Sequence, residues 1–283
     1  VSRIEPELAS LTETVARHGL SARKSLGQHF LLDSNLCAKI ARAAAPLADA
    51  TVLEIGPGPG GLTRALLASD AKRVVAIERD RRCIAALQEL CDAWPERLLI
   101  IEGDALKINA SAEIDGPIKI VANLPYNIGT ALLLGWLRTP ERFASLTLMF
   151  QKEVAARLTA APGTEHYGRL SVITQWCCET QRLFDISAKA FTPPPKVTSA
   201  VVQLIPRDAP LYPAERASLE RVTAAAFGQR RKMMRAAMKS LVINSEAYLT
   251  SNGVDPRARA ETLDIGQFCA LARALPEYAR PAK

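Results

Sequence analysis

From Thr51 onward, short apolar runs alternate with longer amphipathic stretches. Thr51-Val-Leu-Glu-Ile55 reads as a buried strand, residues 61–69 as a helix and 73–78 as a second strand. Over 80–93 the apolar residues fall at 84, 87, 90 and 91, the spacing of one helical face. Residues 98–102 and 118–122 read as further strands, 130–137 as a helix and 146–150 as another strand. This alternation predicts an α/β fold: a mostly parallel sheet with helices on both faces. Residues 180–186 and 200–205 read as late strands. They flank Phe191-Thr-Pro-Pro-Pro195, whose prolines exclude it from a central strand.

Pro206, Pro210 and Pro213 punctuate a linker, and only helical periods follow, at 214–227, 230–243, 245–252 and 264–275. The expected organisation is an N-terminal extension at 1–21, an α/β domain at 22–206 and a small all-helical domain at 207–283. Residues 1–20 read as a frayed helix or a tail.

Composition narrows the class. With 48% hydrophobic and 23% charged residues among 283, the chain is globular rather than disordered. Its longest apolar run, 131–137, falls far short of the roughly 20 residues that span a bilayer. The N-terminus has no apolar core of a secretory signal. Six cysteines form no C-x-x-C pair and no His lies at zinc spacing, so a reduced, cytoplasmic protein without a metal site is expected. The net charge of +7 permits a polyanionic partner without requiring one. Nothing calls for a dimer, so a monomer is expected.

The first candidate chemistry is Glu54-Ile-Gly-Pro-Gly-Pro-Gly-Gly61, which follows a strand and opens a helix. Gly56, Gly58 and Gly61 match G-x-G-x-x-G, and Glu78 ends the next strand, where an acid takes ribose hydroxyls. A pyrophosphate would want free N–H donors and no nearby carboxylate. Here Pro57 and Pro59 remove donors and Glu54 adds a negative charge. A cationic, phosphate-free nucleoside such as S-adenosylmethionine suits the loop better than a dinucleotide. Asp104, with Ala105, follows the 98–102 strand. It can accept an adenine amino group or simply cap a helix.

Asn123-Leu-Pro-Tyr126 ends the 118–122 strand, at the sheet edge where open α/β folds bind ligands. Asn123 offers an amide oxygen, and Leu124 is pushed to extended geometry by Pro125, which can turn a carbonyl towards a pocket. Tyr126 offers a flat ring. The group suits an adenine presented edge-first. The plainer alternative is a strand ending in a proline turn with a packed Tyr.

These motifs together resemble the KsgA-type ribosomal RNA adenine N6-dimethyltransferases, the family that includes the Erm-type methylases. The resemblance covers about 22–243. It rests on Ala22-Arg-Lys-Ser-Leu-Gly-Gln-His-Phe-Leu31, Glu54-Ile-Gly-Pro-Gly58, Gly103-Asp-Ala105, Asn123-Leu-Pro-Tyr126, Gln151-Lys-Glu153, Tyr167-Gly-Arg-Leu-Ser171, Phe191-Thr-Pro-Pro-Pro-Lys-Val197 and Phe227-Gly-Gln-Arg-Arg-Lys232, in the family's order. It implies a Rossmann-like class I methyltransferase domain with a helical C-terminal domain for RNA or ribosome recognition. It also implies S-adenosylmethionine as cofactor. The reaction would be dimethylation of two adjacent adenosines near the 3′ end of small-subunit rRNA, with the small ribosomal subunit or its precursor as partner.

Residue roles follow from the same resemblance. Gln28, His29 and Leu31 match a segment that closes over the cofactor; many members carry Asn where this chain has His29. Gly56 and Gly58 match the loop, Glu78 the ribose acid, Asp104 and Ala105 the adenine side. Asn123 is shared between cofactor and substrate, and Asn123, Leu124, Pro125 and Tyr126 form the catalytic corner. Tyr126 and Phe191 match the aromatic pair that holds the target base.

Arg221, Arg230, Arg231, Lys232, Arg235 and Lys239 carry charge of one sign across 221–245, with no acid among them. A single-sign stripe suits phosphate contacts, whereas a solvated helix face normally mixes signs. Three other readings stay open: an Erm-type enzyme acting on large-subunit rRNA, an NAD-dependent oxidoreductase built on the glycine pattern, and a non-catalytic RNA-binding or assembly factor.

Overall fold

The protein was analysed as a computed structural model that describes residues 8–23 and 26–280. Residues 1–7, most of the first half of the expected extension, lie outside the described residues, as do Lys24 and Ser25 of the first motif. The chain forms two compact units. One comprises Val1–Ala155 with Gln181–Pro206, the other Ala156–Thr180 with Arg207–Lys283.

The first unit starts with α1 (Leu11–Arg17), β1 (Phe30–Leu31) and α2 (Ser34–Ala43). Then come β2 (Thr51–Ile55), α3 (Gly61–Ala68), β3 (Arg73–Glu78), α4 (Arg81–Ala93) and β4 (Leu98–Glu102). β5 (Ile118–Asn123), α5 (Gly129–Trp136), β6 (Phe143–Gln151) and α6 (Lys152–Leu158) follow. After α7 (Arg169–Cys177) the chain returns through β7 (Cys178–Ile186), β8 (Phe191–Thr192) and β9 (Ser199–Pro206).

The seven-stranded sheet runs β4-β3-β2-β5-β6-β9-β7. β2 pairs in parallel with both β3 and β5, β3 with β4, and β5 with β6, while β9 is antiparallel to β6. Every residue of β2 is buried, as expected of a strand covered on both faces. Val52, Val74, Val121, Met149 and Val201 join Ile40, Leu66 and Leu87 from the covering helices in one apolar core. Chain order reverses between β2 and β5. Their carboxyl ends therefore open side by side, the topological switch point where such sheets take ligands.

Of the two forms expected for the N-terminal segment, a helix is present, and it is capped rather than frayed. α1 is closed by a capping box, in which the Glu13 amide donates to Ser10 Oγ at 3.2 Å and the Ser10 amide to Glu13 Oε2 at 2.8 Å. Arg64 of α3 donates to the Ala9 carbonyl at 2.7 Å and to buried Thr14 Oγ1 at 3.1 Å. Arg17 and His18 both reach Glu89 of α4 at 2.9 Å. Side chains of α3 and α4, distant in sequence, hold these residues in place; local propensity does not show them.

The second unit contains α7, α8 (Arg216–Gly228), α9 (Met234–Ala237), α10 (Ser245–Ser251) and α11 (Ile265–Tyr278). α7 packs on α8 and α11. Buried Tyr167 meets Phe227 edge-on at 6.0 Å, and Phe227 lies 5.4 Å from Phe268. Besides 207–283, residues 156–180 join this unit, because the apolar side of α7 is covered by helices that come after the linker. The single helix expected over 230–243 is also broken. Residues 229–231 are turns, 232 is a bend, Met233 forms an isolated bridge with Arg259, and a 3-10 turn over Met238–Ser240 follows the short α9.

Candidate active site

At the carboxyl ends of β2, β3, β4 and β5 lies an open cavity of about 1080 Å³. Its walls include Gln28, His29 and Leu31, then Gly56, Gly58 and Glu78, then Asp104 and Ala105, and finally Asn123, Leu124, Pro125 and Tyr126. All twelve sequence-assigned residues of the cofactor and catalytic groups thus meet in one place.

The glycine loop is tied by its own main chain. The Gly56 amide donates to the Ile77 carbonyl at 2.9 Å and the Gly60 amide to the Pro57 carbonyl at 3.0 Å. The Gly58 amide donates to Glu78 Oε2 at 3.0 Å. Gly58 sits at φ +56°, and a Cβ there would stand 3.3 Å from the Phe30 ring. These three amides are engaged and the two intervening residues are prolines, so the loop has little left to cradle a pyrophosphate. The Glu78 carboxylate stands where phosphate oxygens would need to be. This disfavours the dinucleotide reading on geometry.

Glu78 also accepts from the amides of Arg79 and Asp80, each at 2.7 Å. Burial raises its pKa, and these backbone bonds oppose the rise. A carboxylate has about four lone-pair sites, so capacity remains on Oε2 for a hydroxyl. Asp104 accepts the Leu106 amide at 3.1 Å and faces Arg79 at 3.6 Å across the rim.

Glu54 was noted in the sequence only as a charge beside the loop, yet it lines the cavity with 2% exposure. Thr63 Oγ1 donates to it at 2.7 Å. Burial pushes its carboxyl up to about 8, and the neighbouring Glu78 charge adds to the rise. Among the described residues no cation pairs with it. A buried acid in an otherwise apolar strand was the available signal for this residue. Glu54, Glu78 and the phosphate-averse loop fit a cationic nucleoside, which is what S-adenosylmethionine is.

At the catalytic corner, Asn123 Nδ2 donates to the His29 carbonyl at 3.2 Å, which leaves Oδ1 as the acceptor. The Pro125 carbonyl accepts the amides of Ile128 and Gly129 at 3.2 and 3.0 Å and so caps the start of α5. With both its lone pairs engaged, the Pro125 carbonyl leaves that of Leu124 to meet a ligand. Tyr126 Oη is bonded to Ser199 Oγ at 2.6 Å, and burial raises its pKa. The His29 ring lies 5.3 Å from the Tyr126 ring, with Nδ1 on the Pro193 carbonyl at 2.8 Å.

Phe191 is not at the cavity. It is 2% exposed and belongs to the main apolar core, with its backbone paired to Leu31. Here Phe191 packs in the core beside β1 rather than lining the cavity. The six basic residues also separate. Arg230 is tied to Glu261 at 2.9 Å and to the Glu165 carbonyl, and Arg235 faces Glu246 at 3.3 Å. Arg221, Arg231, Lys232 and Lys239 are exposed.

Sheet order, cavity and donor set define an S-adenosylmethionine-dependent methyltransferase. The chain belongs to the ribosomal RNA adenine dimethylase family, whose model matches residues 19–277. It is 61% identical over 269 residues to a ribosomal RNA small subunit methyltransferase A of Paramagnetospirillum magneticum, covering 95% of each chain. It is 58% identical over 268 residues to the protein of that name from Rhodospirillum rubrum, covering 95% of this chain and 93% of the relative. Among solved structures, a dimethyladenosine transferase from Plasmodium falciparum matches with a TM-score of 0.74 and 28% identity, over 88% of this chain and 98% of that one. The 23S rRNA methyltransferase ErmE matches with a TM-score of 0.66 and 27% identity, over 87% and 99%. All of α1 and the residues before it precede the family match.

Proposed function

We propose that the protein methylates N6 of two adjacent adenosines near the 3′ end of small-subunit (16S) rRNA, giving N6,N6-dimethyladenosine during assembly of the small subunit in the cytoplasm. The observation that carries this reading is the meeting of the glycine loop, Glu78 and Asp104 with the Asn123–Tyr126 corner around one open cavity. S-adenosylmethionine, when bound, supplies the methyl group from a sulfonium.

The protein's own task is placement, where effective molarities of about 10⁵ M or more are available from orientation. Gly56 and Gly58 let main chain approach the cofactor, Glu78 takes the ribose hydroxyls and Asp104 the adenine amino group. Glu54 favours positive charge at the opposite end. Gln28, His29 and Leu31 cover the site. Asn123 Oδ1 and the Leu124 carbonyl accept hydrogen bonds from the target N6. That favours a pyramidal nitrogen and spreads its developing positive charge, as preorganised dipoles do. Tyr126, held by Ser199, offers the stacking face that offsets unstacking of the base, worth about 1–3 kcal/mol.

The exposed cations Arg221, Arg231, Lys232 and Lys239 contact RNA phosphates in this reading, while Arg230 and Arg235 serve mainly their own unit. The protein acts as a monomer. The test supplies methyl-labelled S-adenosylmethionine with small subunits lacking these methyl groups, beside large subunits and naked rRNA. Labelled N6,N6-dimethyladenosine from small subunits alone is the expected result. Label in large-subunit RNA overturns the substrate assignment, and no label with intact cofactor binding overturns the catalytic one.

A further inference from the structure

Residues 9–23 and 26–32 run as a strap along α3 and α4, and the part from 26 to 31 walls the cofactor cavity. The strap has its own apolar seam, separate from the main core. Leu20 and Phe30 pack with Cys83 and Ala86 of α4. Beside that seam, at the head of α4, lies a polar node whose two members the proposed chemistry does not use. Asp80 caps α4 by accepting the Arg82 amide at 3.2 Å, and its side chain is 3% exposed. The Arg82 guanidinium grips it twice, Nη2 to Oδ2 at 2.7 Å and Nε to Oδ1 at 3.1 Å. This pairing lowers the Asp80 pKa.

Both members also hold the strap. Arg82 Nη2 donates to the Ser21 carbonyl at 3.2 Å, and Gln28 Nε2 donates to Asp80 Oδ2 at 3.3 Å. Gln28 in turn accepts the Arg23 amide at 2.9 Å and donates its own amide to the Arg23 carbonyl at 3.3 Å. One ion pair, its carboxylate buried and its guanidinium partly exposed, therefore fixes the strap at Ser21 and at Gln28, just ahead of the residues that wall the cavity. The next residues contribute the His29 carbonyl that orients Asn123 and the Phe30 ring that faces Gly58. Asp80 and Glu78 are coupled as well, since the Asp80 amide is one of the donors to the Glu78 carboxylate.

We propose that the Arg82–Asp80 pair anchors the strap over the cofactor, and that Arg82 is a positioning residue that sets how long the cofactor stays bound. Arg82 does not line the cavity; it acts through Ser21, Asp80 and Gln28. The geometry requires a guanidinium, because one planar fork must hold a carboxylate and still reach a carbonyl. A lysine keeps the charge and loses the fork. The inference rests on the cofactor assignment proposed above.

The experiment uses the full chain and S-adenosylhomocysteine, the demethylated cofactor, with its dissociation rate read by stopped flow. Arg82→Ala is expected to raise that rate about tenfold and the cofactor KM by a similar factor, with kcat at saturating cofactor within about twofold of the parent. Arg82→Lys is expected to raise the rate about threefold. Hydrogen exchange should rise at 20–31 and stay unchanged in β2 and β5. A folded variant of either kind with the parent's dissociation rate overturns the proposal. So does a fall in kcat with an unchanged cofactor KM. If the parent protein binds no S-adenosylhomocysteine, the cofactor assignment fails and the proposal with it. If the parent binds and Arg82→Ala releases no faster, only the anchor fails.

Discussion

Two walls of the cavity are built differently. At the sheet edge, the main chain does most of the holding: Gly56 bonds Ile77, Gly60 bonds Pro57, and the Glu78 carboxylate is held by the amides of Gly58, Arg79 and Asp80. Along the strap, side chains do the holding: Arg64 to Ala9, Arg17 and His18 to Glu89, Arg82 to Ser21 and Gln28 to Asp80. A main-chain lattice follows from the strand register and cannot be lost one side chain at a time. Side-chain anchors can be tuned singly, and exposed ion pairs among them contribute only about 0–1 kcal/mol each. The edge is therefore suited to fix where the cofactor lies, and the strap to govern how readily it is released.

That contrast can be broken most forcefully at Phe191, where β8 holds β1 of the strap. Phe191→Ala should cost about 3–5 kcal/mol of stability, typical of a buried aromatic. Cofactor binding and RNA methylation should be lost together. Chemical denaturation with parallel activity assays checks this; a stable variant that binds cofactor and fails only on RNA would restore the stacking role.

Asn123→Ala acts on the edge side alone. Turnover should fall about 10²–10³-fold, the scale of losing one preorganised dipole at the reacting centre. Cofactor affinity should stay within a few-fold, as single-turnover kinetics with calorimetric binding would reveal. A folded variant that turns over normally would remove Asn123 from the chemistry.

The Glu54 carboxyl gives the edge a pH signature. In the free protein it holds its proton up to about pH 8. A cationic ligand favours the carboxylate, so binding expels that proton. Affinity for S-adenosylmethionine should therefore rise with pH, by up to about tenfold per unit, and level off above about 8. Calorimetry in buffers of different ionisation enthalpy should show proton release near pH 7, and Glu54→Gln should flatten the dependence.

The smallest effect is expected at the far end of the strap. Glu89→Gln weakens the partner of Arg17 and His18 and should cost at most about 1 kcal/mol. Melting temperature should fall by a few degrees with kcat unchanged at saturating cofactor. A large loss of turnover would mean that α1 reaches the chemistry.

The edge was far more legible in the sequence than the strap. Strand periods at 51–55, 73–78, 98–102 and 118–122 mark each carboxyl end, and the residues just beyond them become the cavity wall. Glycine and proline spacing carried the loop because it encodes backbone geometry directly. The strap was hidden because its partners Arg64, Arg82 and Glu89 lie dozens of residues away, and only Ser10-x-x-Glu13 announces α1 locally. For Phe191 the motif records that the position matters without saying which way its side chain turns, and in this structure it packs in the core. Arg230 and Arg235 read as a free stripe because Glu261 and Glu246 lie beyond the window in which the charges were weighed.

The two-segment make-up of the second unit has a consequence for synthesis. Val172, Ile173, Trp176 and Cys177 of α7 are buried in the finished protein against helices that follow Pro206. On a translating ribosome, at about 5–20 residues per second, α7 emerges seconds before α8 and longer still before α11. Its apolar side waits uncovered while β7, β8 and β9 complete the sheet. The nascent chain is most exposed to mispairing and chaperone capture in that interval, and a fragment cut at the proline linker would preserve the exposure permanently.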